Sequence, residues 1–430
     1  MTPWRRHLGL AFLSLAYMLN YVDRQMLAVL IEPIRRDLRI SDTQIGLLSG
    51  TLFAIFYTFM SVPIAAMADR MRRVPLVSFA CFGWSLFTGL SGLVTSFAQL
   101  AAARIGVAIG EAGGLSPSLS IISDYFPPRF RVRSIGMLTA FAPVGVMIGA
   151  LGGGLIAEAH GWRMAFIVPA IVGMIVAPAM FFLAPEPRRG TFDPPAASDN
   201  ERTSFASVAM LFVRLPSLGL AALSGGLCAI ISNAVMGWMP ALMMRGYGAS
   251  LRDVAFFFGP VVGFALMCGA LGSGWIVSRL IGRSMRAYML VPAAAMLVCA
   301  PLFLMALCAN NWPAMLAIAF LPIVMISTAI PPIVAYSLDL APSDARSMTS
   351  ALLMVIVNLI GIGLGPVIVG AASDALKPMA GDDSLRIAML ARLVPMMLLA
   401  ASTLYLASRR IAQDRRRLER DRGMVQADLH

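Results

Sequence analysis

The sequence predicts an all-α integral membrane protein with twelve transmembrane helices in two pseudo-symmetric six-helix bundles. Three observations carry that prediction. Of 430 residues, 59% are hydrophobic and only 13% charged, where an ordinary soluble domain has roughly 25% charged. The apolar residues gather into runs of the length that crosses a bilayer, for which about 20 residues suffice. Motifs of the first half also recur in the second at a nearly constant offset. With a mean hydropathy of +0.79, a soluble fold cannot hide this much apolar surface. A soluble enzyme, a disordered regulator and a nucleic-acid binder are therefore excluded.

Charge-free windows at 43–68, 74–103, 134–157, 164–185, 215–244, 254–278, 287–338 and 347–373 read as spans. The 287–338 window has room for two helices and breaks at Asn310-Asn311-Trp312-Pro313. Three further spans, 8–31, 97–120 and 387–408, carry charge inside or near their ends. The N-terminal run has the charge and apolar character of a signal peptide. It lacks a small-residue cleavage site and continues into Asn20-Tyr21-Val22-Asp23-Arg24, so it is read as the first span.

Twelve spans put both termini on one side. Segments on that side hold 23 of the 34 basic residues and those on the other side hold 9, which makes the N-terminal side cytoplasmic. The expected location is the cell membrane, a bacterial inner membrane, with both termini in the cytoplasm. The net charge of +12 is thus a topology signal rather than a nucleic-acid footprint. Cys81, Cys228, Cys268, Cys299 and Cys308 lie in apolar runs without metal spacing and read as small core hydrophobes. His7, His160 and His430 are terminal or in a predicted loop, which excludes a Ser–His intramembrane protease. A two-aspartate protease lacks its second deep aspartate, and no G-x-x-x-x-G-K loop is present for ATP. A channel fits less well than a carrier, because the halves are duplicated and only one carries deep charge.

The polar stretch 184–215 divides the chain into 1–185, an N-terminal bundle; 186–214, a cytoplasmic linker; 215–408, a C-terminal bundle; and 409–430, a basic cytoplasmic tail. Ser123-Asp124-Tyr125-Phe126-Pro127-Pro128…Arg133-Ser134 after the fourth span is echoed by Leu338-Asp339-Leu340-Ala341-Pro342…Arg346-Ser347 after the tenth. Asp69-Arg70-Met71-Arg72-Arg73 is echoed by Ser278-Arg279-Leu280-Ile281-Gly282-Arg283, and the glycines of the fifth span by those of the eleventh. A common offset signals internal duplication.

Twelve spans in two parallel repeats, with a basic loop after the second span, resemble the major facilitator superfamily. Asp69-Arg70-x-x-Arg73 resembles that superfamily's cytoplasmic signature, departing from it at Ala65 and Arg72, where glycines are usual. Asn20-Tyr21-x-Asp23-Arg24, Arg104…Gly110-Glu111-Ala112 and Ser123-Asp124-Tyr125-Phe126-Pro127-Pro128 are similar to the Spinster branch. The resemblance implies secondary transport driven by protons, with lysolipid or sphingoid-type substrates, no enzymatic activity and no cofactor beyond the proton gradient. The alternative is a carrier of small organic or sugar acids, or a drug exporter, on the same fold. The resemblance implies that Asp69, Arg70 and Arg73 form a latch between the halves; the other reading of this loop is topogenic positive charge. Asp124 with Arg133, and Asp339 with Arg346, are candidates for equivalent latches.

Charges inside a span cost about 2.5–3.5 kcal/mol each on insertion scales and face a cavity or one another. Only Asp23, Arg24, Arg104 and Glu111 are deep, all in the first half. Arg104 and Glu111 share a face of the fourth span, roughly 10 Å apart along its axis, too far to pair. Depth counted from the outer ends predicts Asp23 with Arg104, and Arg24 reaching Glu111. Two readings stand: a proton switch built on Asp23, Glu111 and Arg104, or a purely structural ion-pair network. Arg24, Glu111, Asn20, Asn233 and Asn358 are the substrate-binding candidates; for each asparagine the other reading is a helix-to-helix hydrogen bond. A cavity charged on one wall and apolar on the other suits an amphiphile. The expected partners are therefore a small-molecule or lipid substrate and membrane lipids, with no nucleic acid, and the chain is expected to be a monomer. The mixed-charge segment 32–42 is expected to be an outer loop without chemistry, and the basic tail a solvated anchor or a short amphipathic helix.

Overall fold

In the computed structural model, residues 3–192, 205–341 and 346–427 are described, and every regular element among them is helical. The order begins with α1 (Pro3–Val29) and a short α2 (Ile31–Leu38). The second span is α3 (Asp42–Gly46), a π turn (Leu47–Thr51) and α4 (Leu52–Arg70); the third is α5 (Arg73–Ser91). The fourth is α6 (Phe97–Ala112) with α7 (Leu115–Tyr125), followed by α8 (Pro128–His160) and α9 (Trp162–Leu183). After α10 (Phe205–Arg214) come α11 (Pro216–Tyr247), then α12 (Leu251–Asp253), a π turn (Val254–Phe258) and α13 (Gly259–Leu280). The chain finishes with α14 (Ala287–Leu307), α15 (Trp312–Ser327), α16 (Ile330–Leu340), α17 (Arg346–Ala380) and α18 (Ser384–Ala427).

Ten stretches among the described residues are apolar and long enough to cross a membrane. One of them, Met348–Arg417, is 70 residues long and contains two helices, and α1 carries its charge internally. The structure is thus that of a twelve-span bundle. The basic tail does not form a helix of its own; through Ala427 it continues α18, a single helix of 44 residues.

Local backbone repeats the internal duplication. The second and eighth spans each start at a serine with a reciprocal capping box, Ser41 with Gln44 and Ser250 with Asp253, and each then enters a π turn. The fourth and tenth spans each start at a capped residue, Ser96 or Asn311, and each breaks in mid-membrane, at Gly113-Gly114 or Thr328-Ala329. The predicted break before Trp312 is therefore an N-cap, whose side chain accepts from the amide of Ala314.

The chain folds into two compact units. The first comprises Met1–Ser198, Ala234–Phe264 and Ile362–Ala388. Its core includes Leu13, Trp84, Val107, Ile121, Leu138 and Met180. Helix α8 lies directly on α1: a Cβ at Gly145 or Gly149 would come within 2.5 Å of the carbonyl oxygens of Met18 and Val22. Likewise, a Cβ at Gly110 of α6 would meet the Trp84 backbone nitrogen of α5 at 2.7 Å. These close approaches hold the helices that carry the buried charges at fixed depth.

The second unit comprises Asp199–Asn233, Ala265–Gly361 and Met389–His430. It is tied by polar contacts between distant segments: Ser217 with Tyr336 at 2.6 Å, Ser224 with Thr403 at 2.9 Å, and the Ser217 amide on Asp414 at 2.7 Å. Cys81, Cys228 and Cys299 are buried as expected, but Cys308 is exposed, because it caps the end of α14 rather than continuing it.

Substituting Gly110 by leucine is expected to lower thermal stability, with an overpacking cost of about 1–3 kcal/mol. Thermal unfolding of the purified protein in detergent measures it; a melting temperature equal to that of the parent would refute the close α5–α6 contact.

Candidate functional site

Adjacent residues on a helix diverge by about 100°, so Asp23 and Arg24 at one level of α1 present two charges in different directions. On α6, Arg104 and Glu111 share a face two turns apart. The structure joins these residues in two ion pairs. Arg104 Nη1 donates to Asp23 Oδ2 at 2.6 Å, and Thr88 Oγ1 of α5 donates to Asp23 Oδ1 at 2.8 Å. Arg24 Nε and Nη2 both reach Glu111 Oε2, at 2.8 and 2.7 Å. Thr88 was not among the residues singled out from the sequence; a lone threonine in an apolar span carries no signal of its own.

The two pairs differ in what they leave unsatisfied. Both oxygens of Asp23 are used, and Asp23 and Arg104 are buried. Glu111 is buried too, but its Oε1 has no hydrogen-bond partner among the described residues. Its partner Arg24 is the accessible member, with 27% of its side chain exposed. The Arg24 guanidinium lies against an aromatic cage, 4.5 Å from the ring centroid of Phe53, 5.4 Å from Tyr57 and 5.8 Å from Tyr21. Cation–π contacts of this kind hold a guanidinium in place without consuming its N–H donors. The break at Gly113-Gly114 follows Glu111 by two residues, so the carboxylate sits where the fourth span is discontinuous. Discontinuous helices mark binding sites in many transporters.

Asn20 is buried on α1. Asn233 and Asn358 belong to the second unit. Asn233 donates to the carbonyl of Ala229 one turn back at 2.8 Å. Ser327 and Thr328 are similarly spent on the carbonyls of Val324 and Met325.

At the end of the first unit near the N-terminus, Arg73 is buried. It pairs with Asp124 at 2.5 Å and with Ser120 Oγ at 2.9 Å, while Glu186 accepts from the amides of Arg73 and Val74 at the start of α5. The expected Asp124–Arg133 pair is therefore not formed. Arg73, at the start of α5, reaches the buried Asp124 first, and Arg133 is exposed on α8. Arg70 is exposed. Asp339 accepts from the Tyr288 hydroxyl at 2.5 Å. The side chains of Asp69 and Arg346 lie outside the described residues.

The far end of the first unit corrects the sequence reading more fully. Segment 32–42 is not an inert loop. Glu32 and Asp42 are buried around Arg245 of α11, whose Nη1 and Nη2 meet Asp42 Oδ2 and Oδ1 at 2.7 and 2.9 Å, with Nη2 3.0 Å from Glu32. Ser373 of α17 donates to Asp42 at 2.7 Å, and Asp374 accepts from the amides of Asp42 and Thr43, capping α3. Mixed charges read as a solvated loop only while their partners are unknown; here those partners are more than 200 residues away. The legible signal was the Ser41-Asp42-Thr43-Gln44 helix start. Burial alone would raise the Glu32 carboxyl, but the hydrogen bond from Arg35 and the charge of Arg245 outweigh it and hold it at about 2.

The profile of the Major Facilitator Superfamily matches residues 13–415. The chain belongs to the major facilitator superfamily. An MFS-type efflux pump of Mycolicibacterium smegmatis is 31% identical over 414 residues, covering 96% of this chain and 95% of its own. The sphingosine-1-phosphate transporter SPNS2 of Danio rerio is 27% identical over 236 residues, 54% of this chain and 47% of its own. A crystal structure of a bacterial homolog to the human lysosomal transporter Spinster, inward-facing and unoccupied, matches with a TM-score of 0.89 at 27% identity, covering 96% of this chain and 99% of that one. The protein is thus a membrane transporter of the Spinster branch, not an enzyme.

Two outcomes follow from the geometry. Arg104→Met strands a buried carboxylate and is expected to destabilise by about 3–5 kcal/mol, whereas the double variant Asp23→Asn/Arg104→Met recovers much of the loss. Thermal unfolding of the parent and these two variants checks it; equal losses in the single and the double variant would show that no coupling exists. For Glu32, the folded carboxyl is held at about 2 against 4.5 when free. Its stabilisation is complete above pH 4.5 and disappears as pH falls toward 2. Melting curves of the parent and Glu32→Gln should therefore differ at pH 7 and converge at the acid end.

Proposed function

We propose that the chain is a proton-coupled secondary transporter that works by alternating access and moves an amphiphilic, anionic substrate such as a lysolipid or sphingoid-type lipid. The observation that carries this reading is the asymmetry of Glu111. One of its oxygens is clamped by Arg24, and the other is buried without a partner. A proton arriving at Oε1 neutralises the carboxylate and loosens the Arg24 contact. Arg24, accessible and caged by Tyr21, Phe53 and Tyr57, is then free to bind an anionic head group. Asp23, Arg104 and Thr88 keep α1, α5 and α6 in register, and Asp23 with Arg104 tunes the field at Glu111. Asn20, Asn233 and Asn358 are assigned to the substrate path.

The two ends of the bundle act as gates in this reading. Arg245 with Glu32, Asp42 and Asp374 closes the far end. Asp69, Arg70, Arg73, Asp124, Arg133, Asp339 and Arg346 belong to the cytoplasmic end. The termini lie in the cytoplasm of a bacterial cell, as the surplus of basic residues on the N-terminal side supports. The proton gradient drives transport without a bound cofactor, and the monomer is the working unit. The name of the Danio rerio relative, for a phosphorylated amphiphile, supports the lipid substrate. A second reading, export of drugs or small organic acids, is favoured by the name of the Mycolicibacterium smegmatis relative, an efflux pump.

Proteoliposome flux of a labelled lysophospholipid and of a small organic acid, with and without an inward pH gradient, tests the proposal. Lysolipid flux is expected to follow the gradient, and Glu111→Gln and Asp23→Asn to bring it to the level of empty vesicles. Gradient-independent flux that both variants preserve would reduce the cluster to a structural role. Movement of the organic acid alone would favour the second reading.

A further inference from the structure

We propose that the second unit carries a binding site for a phosphomonoester, the end group of a phosphorylated lipid or solute. A cavity of about 350 Å³ lies between the turn that joins α13 to α14 and the end of α18, within the roughly 300–1,000 Å³ range of small-ligand sites. Ser284 and Arg286 line it from the turn and Arg415 and Arg416 from α18, with Met285 and Ile411 supplying apolar wall. No acidic side chain lines it among the described residues.

The donors of this cavity are largely uncommitted. None of Arg286, Arg415 and Arg416 pairs with a carboxylate among the described residues. Arg415 Nη1 donates to Met285 Sδ, and a thioether is a weak acceptor. Ser284 Oγ accepts from the Arg286 amide at 3.3 Å, so its own proton remains to be donated. The neighbouring acid, Asp414, is buried and accepts from the Ser217 amide at 2.7 Å. Three guanidiniums against this carboxylate leave a formal surplus of two positive charges. A phosphomonoester carries about −1.5 to −2 at neutral pH, whereas a phosphodiester carries a single negative charge. The guanidinium fork also matches phosphate oxygens in bidentate pairs.

Both walls are held in place. The Asp414 contact fastens α18 to the start of α11, and Ile411 is buried one turn before Arg415. Across the cavity, the amide of Ser284 donates to the carbonyl of Leu280 and that of Ala287 to the carbonyl of Ser284, each at 3.0 Å, closing the turn that presents Arg286. Arg286 immediately precedes the apolar stretch Ala287–Leu307, which puts the cavity at the level of lipid head groups. A phosphomonoester reaches that level from two sources. One is the head group of phosphatidic acid; the other is a soluble ester such as glycerol 3-phosphate, the same group without acyl chains. The site shares no residue with the transport reading and does not depend on it.

Native mass spectrometry of the purified protein with dioleoyl phosphatidic acid, phosphatidylglycerol or phosphatidylcholine, each with and without millimolar glycerol 3-phosphate, tests the proposal. Phosphatidic acid is expected to be retained in preference to the two phosphodiester lipids. Arg286→Gln/Arg416→Gln is expected to reduce that occupancy about tenfold or more, as loss of charge-assisted hydrogen bonds predicts. The control Arg409→Gln/Arg410→Gln removes the same charge from α18 outside the cavity and is expected to keep it. Melting of both double variants, expected to equal that of the parent, separates lost binding from lost fold. Glycerol 3-phosphate that binds and displaces the lipid would identify the soluble ester as sufficient; phosphatidic acid that persists would identify the lipid-borne group. Equal retention of all three lipids without binding of glycerol 3-phosphate would overturn the site. So would undiminished occupancy in the cavity variant, or an equal loss in the control.

Discussion

A charge placed in hydrocarbon must find a partner, and the first unit is arranged around that constraint. Asp23, Arg24, Arg104 and Glu111 satisfy one another across α1 and α6, with Thr88 of α5 completing the shell of Asp23. Two carboxylates and two guanidiniums make the cluster formally neutral, so it is tolerated at depth. Neutral is not inert. In one pair both carboxylate oxygens are bonded, while Nε of its arginine is buried without a hydrogen-bond partner among the described residues; the other has an unpartnered carboxylate oxygen and an accessible arginine.

The packing around the cluster serves the same end. Glycines of α8 and α6 bring their backbones into close contact with α1 and α5, beside the side-chain hydrogen bonds of the cluster. The discontinuities lie at corresponding places in both halves, in the π turns of the second and eighth spans and the breaks of the fourth and tenth. Such points interrupt the rigid hydrogen-bond ladder in the membrane, where every other backbone group is committed.

Charge is also concentrated at the two ends of the first unit, with a different logic at each. At the near end, Arg73 is surrounded by Asp124, Glu186 and Ser120, a brace confined to the first half of the chain. At the far end, Arg245 bridges Glu32 and Asp42 while Ser373 and Asp374 close over α3, joining segments from both halves of the chain.

The span count, the internal duplication and the four deep charges were legible from the sequence, because each depends on composition or on spacing along one chain. Hydrocarbon thickness sets span length, and helical periodicity places Arg104 and Glu111 on one face, which leaves few ways to pair them. Thr88, the aromatic cage of Arg24 and the true partner of Asp124 were not legible, since each depends on which helix lies opposite. The same holds for segment 32–42. Its alternating charges look solvated along the chain, and only the approach of α11 and α17 turns them into a buried cluster. Local sequence therefore determined which residues enter the membrane and at what depth. Tertiary structure alone decided which of them meet, because pairing energy depends on distances that no single helix contains.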